Sequence, residues 1–210
     1  MIPLADLAEM DRAGLVALWS NLLGGVVPPK MSQPMLRHFP AFEIQSRQQG
    51  GLRATLAARL VRIAAGEERK PSPSMRSGTI AAALDVPVDA ISPDFLTVKQ
   101  PFALRRRGVE TRIVAGSAEP APDAVLQRTL AEAHVWATSL RRGTSLIDIA
   151  RATGRSEPFI RSRVALAFLS PRVQACILDS LQPVDISVAS LMRDGIPLDW
   201  AAQSRVFGLD

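Results

Sequence analysis

The chain has 210 residues, is 47% hydrophobic and carries a net charge of +5 with a pI near 10.5. That length and balance suit one large or two small folded domains and exclude wholesale disorder. Cys176 is the only cysteine, which excludes an internal disulfide; with only His38 and His134 beside it a Cys/His zinc site is out of reach, and the absence of Tyr excludes a tyrosine nucleophile.

With Lys30, Lys70 and Lys99 the only lysines among 25 basic residues, arginine supplies the other 22. This bias suits bidentate contact with phosphate, and it equally suits a GC-rich genome. The opening "MIPLADLAEMDR" lacks the basic n-region of a secretory signal. The longest mostly apolar run, 15–27, is too short to cross a bilayer and is broken by Gly24 and Gly25. A cytoplasmic, nucleoid-associated protein without membrane contact is expected.

In chain order, residues 3–66 are expected to be helical and to form an N-terminal three-helix unit (1–66). Asp11 is the expected N-cap of "RAGLVALWSNLL", with Leu15, Leu18, Trp19 and Leu22 on one face. Ser20 is an exposed position on that helix. Ser32 is expected to cap a second helix with Pro34 in its first turn, and Pro40 to kink or split it. The third helix, "LRATLAARLVRIAA", buries Leu52, Leu56, Leu60 and Ile63 and leaves Arg53, Arg59 and Arg62 wet. Gly24-Gly25 and Gly50-Gly51 read as helix stops. A linker with a possible short helix, "TIAAALDV", fills 67–93.

Residues 94–116 change to β-like patterning and predict a hairpin, with "RRRG" as its turn. Arg105, Arg106 and Arg107 then sit in that turn, either as a solvated loop that blunts a sheet edge or as phosphate contacts. "GSAEPAPD" reads as a second short linker. Residues 123–210 are expected to be helical again. Asp123 caps a helix with Leu126, Leu130, Ala133, Ala137 and Leu140 inside, and further short helices follow, opened by Ser145 or Thr144, by Ser156 and by Pro171. The fold class expected is therefore mainly α, with a short β-hairpin in the middle and a C-terminal multi-helix domain.

One segment of that domain, "TSLIDIARATGRSEPFIRSRVALAFLSP", has the pattern of a helix-turn-helix at about 145–169. Leu146, Ile149 and Ala150 face inward on the first helix, Gly154 sits in the turn, and Ile160, Val164 and Ala167 face inward on the second. Ser156 caps that second helix and leaves Glu157, Pro158, Arg161 and Ser162 outward. From Arg141 to Arg172 seven arginines stand against Asp148 and Glu157, whereas 173–210 holds Arg193 and Arg205 against five aspartates. Such a patch suits the phosphate charge of a duplex. The same spacing also describes two ordinary core helices joined by a glycine turn.

Residues 94–209 resemble the C-terminal tail of phage-type and proteobacterial serine recombinases. The matching words are "PFALRRRGVETRIV", "LAEAHVW", "SLIDIARATGRSEPFIRSRVALAFLSPRVQACILDSLQP" and "IPLDWAAQSRVFG". The resemblance implies a DNA-binding helix-turn-helix similar to that of ParB-type partition proteins. Residues 4–66 resemble small uncharacterised proteins of the DUF2924 type, through "LADLAEMDRAGLVALWSNLLGG", "PPKMSQPMLRHFPAFEIQ" and "GGLRATLAARL". Nothing in 1–92 resembles the recombinase catalytic domain, and no carboxylate pair, supported nucleophile or glycine-rich phosphate loop stands out. The expectation is a non-enzyme without cofactor or metal.

The expected partner is double-stranded DNA, bound as a homodimer, in transcription control or as a recombination accessory factor. Glu157, Arg161 and Ser162 are the expected base-edge contacts. Arg155, Ser156 and Arg163 would fix the helix on phosphates, with Arg105, Arg106, Arg107, Arg141 and Arg142 as further phosphate candidates. A basic face of Lys30, Arg37, Arg47 and Arg53 would extend this to the N-terminal unit; as a solvated helix surface it would not. A second reading is an interaction module that docks RNA polymerase or a recombinase, favoured if the face Leu15–Leu22 is uncovered. The hairpin edge and Val206-Phe207 are the candidate dimer surfaces.

Overall fold

Residues 3–67, 102–107, 110–115, 123–183 and 186–209 are described in a computed structural model, and they are mainly helical. Helices α1 (Leu4–Glu9), α2 (Arg12–Leu23), α3 (Gln33–Gln49) and α4 (Ala54–Ala65) come first. Two strands, β1 (Phe102–Arg107) and β2 (Glu110–Ala115), pair antiparallel with Phe102 opposite Ala115 and Arg107 opposite Glu110. Then follow α5 (Ala124–Arg141), α6 (Leu146–Thr153), α7 (Glu157–Arg163), a 3-10 turn (Val164–Phe168), α8 (Pro171–Leu178), α9 (Val188–Asp194) and α10 (Trp200–Val206). The linker of 68–93, its short helix and the linker of 116–122 lie outside the described residues.

Local capping explains most boundaries. The Asp11 carboxylate accepts from the Gly14 N–H at 2.8 Å and opens α2. Asp123 accepts from the amides of Val125 and Leu126 and opens α5, and Asp199 accepts from that of Ala201 and opens α10. Ser187 and Ser190 form a reciprocal capping box on α9. Ser32 precedes α3 but its hydroxyl makes no capping bond.

Of the kink or split expected at Pro40, the split does not occur: α3 runs unbroken through 17 residues. Pro40 is buried between Phe39 and Ala41, both core residues, so packing on the helix outweighs the one backbone hydrogen bond that proline removes. The arginines expected in the hairpin turn are strand residues instead. The ladder continues through Arg105, Arg106 and Arg107, which face Arg112, Thr111 and Glu110.

Two apolar cores draw residues from both the N-terminal and the C-terminal helices. One cluster joins Leu15, Trp19, Leu36 and Phe39 of the N-terminal helices to Trp136, Leu140, Leu146, Ile149, Ile160 and Phe168 of the C-terminal ones. At its centre Phe168 meets Phe39 with ring centroids 4.7 Å apart and stacks on His38 at 5.3 Å. A second cluster joins Leu60 and Ile63 of α4 to Leu126, Leu130, Leu166, Val173 and Ile177. Separate three-helix units of this size would leave those apolar faces in water, so they fuse.

Four buried glutamines tie backbone segments that have no regular partners. Gln45 donates to the Leu198 carbonyl at 2.8 Å and accepts from the Trp200 N–H at 2.8 Å. Gln203 accepts from the Ser170 N–H at 2.7 Å and donates to the carbonyls of Pro197 and Phe168. Gln127 donates to Ile177 and Leu178, and Gln174 donates to Leu169 while meeting the His134 ring at 2.7 Å. Each satisfies loop or helix-end groups that burial would otherwise leave unpaired. Burial pushes the His38 imidazole down to about 4. It also lowers His134, against the raising effect of the Gln174 hydrogen bond.

Candidate nucleic-acid interface

The segment 145–169 is built as two short helices braced by a long one. Ser145 opens α6, accepting from the Asp148 N–H at 3.1 Å and donating to its carboxylate at 2.6 Å. Gly154 ends α6 with φ 66°, ψ 16°, the left-handed conformation that glycine adopts without Cβ strain. Two residues later Ser156 caps α7 by accepting from the Phe159 N–H at 3.4 Å, with Pro158 in the first turn.

The inward residues lie where the periodicity placed them. Leu146 and Ile149 of α6, and Ile160, Val164 and Ala167 after the turn, are buried, and Ala150 packs against them. The second helix is shorter than expected. It stops at Arg163 and tightens into the 3-10 turn, because Val164, Leu166, Ala167 and Phe168 all enter the cores within five residues, which a single 3.6-residue face cannot do. The outer flank of α7 is free: Arg155, Ser156, Pro158, Arg161 and Ser162 are exposed and Glu157 is half-buried.

Individual side chains differ from a simple row of free cations. Arg161 pairs with Glu157 one turn earlier. Such exposed pairs contribute about 0–1 kcal/mol, so this one opens at little cost. Arg163 is half-buried, with its guanidinium carbon 3.7 Å from the Phe159 ring centroid and hydrogen bonds to the Phe159 carbonyl and the Ser162 hydroxyl. Arg155 lies 5.0 Å from the same ring. Phe159 therefore gathers two guanidiniums and itself rests edge-on against Trp136 at 6.3 Å. This role escaped the sequence reading, although the i, i+4 spacing of Phe159 and Arg163 was a visible signal.

Arg141 is tied to Glu43 of α3, which also pairs with Arg47 at 3.0 Å, while Arg142 is exposed at the C-cap of α5. Of the N-terminal basic residues, Arg37 donates to the Met10 carbonyl at 3.2 Å and Arg47 also donates to that of Leu22. Arg53 instead lines a cleft of about 800 Å³ with Thr55, Arg172, Cys176 and Trp200. Apart from Arg53, none of the expected DNA contacts lines that cleft. Arg105, Arg106 and Arg107 are placed only as β1 ladder positions.

Among the described residues no helix is long and apolar enough to cross a membrane. No family model, no curated protein and no solved structure matches the chain.

Proposed function

We propose that residues 145–169 are a helix-turn-helix that reads double-stranded DNA, and that the protein acts by sequence-specific binding rather than catalysis. The observation that carries this reading is the two-sided character of α7. Its inner side is anchored by Ile160 and Val164, both fully buried, while Arg155, Ser156, Arg161 and Ser162 stay open along the other. A braced helix with an open polar flank is what a major groove admits. The resemblance to serine-recombinase tails supports the same reading and suggests phage or mobile-element descent, with a role in transcription control or as a recombination accessory factor.

In this reading Arg161 exchanges Glu157 for the O6 and N7 acceptors of a guanine, and Glu157 accepts from a cytosine amino group. Ser162 supplies an adaptable hydroxyl. Arg155 and Ser156 meet phosphates, and Arg163 braces the helix through Phe159. A single unit covers few base pairs, so a homodimer on two half-sites belongs to the proposal. Val206 is exposed and available to such a contact, whereas Phe207 is core. The docking-module reading loses its supporting feature, since Leu15, Leu18 and Trp19 are buried.

The test is enrichment of bound duplexes from a random pool, followed by titration of the enriched site with the parent and Arg161→Ala. Loss of about 1–3 kcal/mol with relaxed preference at one position is expected. Equal binding by Arg161→Ala overturns the assignment of the reading face. Failure to enrich any site, with no salt-dependent binding to random duplex, overturns DNA reading altogether.

A further inference from the structure

The loop between α2 and α3 runs against the turn that leads into α6. The Val26 carbonyl oxygen lies 3.8 Å from where a Cβ on Gly143 would stand. The loop alternates between anchored and open residues. Val27 packs against the core that holds Leu140, Leu146 and Ile149, and Pro28 is buried. Gly24, Gly25 and Val26 on one side and Pro29 and Lys30 on the other are exposed, Val26 to 81%. Arg12 clamps the loop's far end by donating to the Met31 carbonyl at 2.7 Å. Lys30 holds a left-handed backbone, φ 59°, which a lysine seldom adopts and which the anchored neighbours impose.

Most of the arginines around this loop are already engaged. Arg37, Arg47 and Arg141 are engaged with carbonyls or with Glu43. Among the described residues Lys30 and Arg142 have no ion-pair partner, and both are exposed. They belong to the two segments that meet at Val26 and Gly143. The first helix of a helix-turn-helix crosses the duplex backbone, and its start is at Ser145, two residues from Gly143.

We propose that the loop 24–30, together with Arg142, forms a second DNA-contacting element that grips the sugar-phosphate backbone beside the segment read by α7. Lys30 and Arg142 supply the phosphate contacts, and Val26 meets the apolar face of the deoxyribose. This rests on the DNA-reading proposal above and gives the N-terminal helices a part in it: the shared core holds the loop in a fixed position relative to α6. The partner is double-stranded DNA rather than protein, because the patch offers unpaired cations and one small apolar contact instead of a broad apolar face.

The full chain, the double variant Lys30→Ala/Arg142→Ala and Arg161→Ala are titrated over a range of salt concentrations. The probes are a duplex enriched by the parent and a random duplex of equal length. The double variant is expected to lower the slope of log K against log salt by about 2 and to weaken both duplexes to a similar extent, leaving sequence preference intact. Hydroxyl-radical protection should shrink on one flank of the site. Arg161→Ala should instead change the preference. If the double variant keeps the parent's slope and footprint while Arg161→Ala loses preference, the second element is wrong and the reading helix stands. If the parent binds neither duplex in a salt-dependent way, both proposals fall.

Discussion

Phe168 is the residue on which the shared core can be tested most directly. It is 6% exposed and contacts the rings of Phe39 at 4.7 Å, His38 at 5.3 Å and Phe42 at 6.0 Å, all from α3. Phe168→Ala removes the ring and leaves a cavity that three rings and a helix cannot fully close. Such truncations cost about 3–5 kcal/mol, and with a urea slope of about 2 kcal/mol/M the midpoint falls by roughly 2 M. The three tryptophans make the assay local. Trp19 reports the N-terminal helices and Trp136 reports α5, so backgrounds retaining one or the other are unfolded with and without Phe168→Ala. Both fluorescence transitions should shift together by a similar amount. If the Trp136 signal moves while the Trp19 signal keeps its midpoint, the N-terminal helices fold on their own and the shared core is refuted.

Other predictions concern groups that the tertiary fold puts to use. Gln203→Leu strands the Ser170 N–H and the carbonyls of Phe168 and Pro197, and should cost about 2–4 kcal/mol in urea unfolding; a loss under 0.5 kcal/mol would show that water replaces the amide. The His38 imidazole is held near 4 when folded, against about 6.5 unfolded, so the unfolded chain binds the extra proton between those values. Stability should be complete above pH about 6.5 and fall by up to about 3 kcal/mol as pH drops toward 4, and His38→Phe should flatten that part of the profile. Gly154→Ala meets no atom within 4 Å but must hold φ +66°, so it should cost about 1–2 kcal/mol from backbone strain alone. A neutral or stabilising result in thermal unfolding would contradict the left-handed turn.

Much of the local structure was legible in the linear chain because its causes are local. Asp11, Asp123, Ser145 and Ser156 cap helices through bonds to amides two or three residues away. Gly154 marks its turn by lacking a Cβ. The inward set Leu146, Ile149, Ile160 and Val164 follows from helical periodicity alone. So does the outward placement of Arg161 and Ser162, which is why most of the candidate reading face could be named in advance.

Only the tertiary structure decided what those faces meet. Pro40 stays within an unbroken helix because buried neighbours hold it there, and no rule about proline in isolation contains those neighbours. Arg141 loses its freedom to Glu43, a residue 98 positions away. Gln45, Gln127, Gln174 and Gln203 look like ordinary surface residues until long-range folding brings unpaired backbone groups to them. Above all, amphipathic periodicity shows that a helix has an apolar side but not which helix covers it. The pairing of α3 with Phe168, and of α4 with α5, is visible only once the chain has folded.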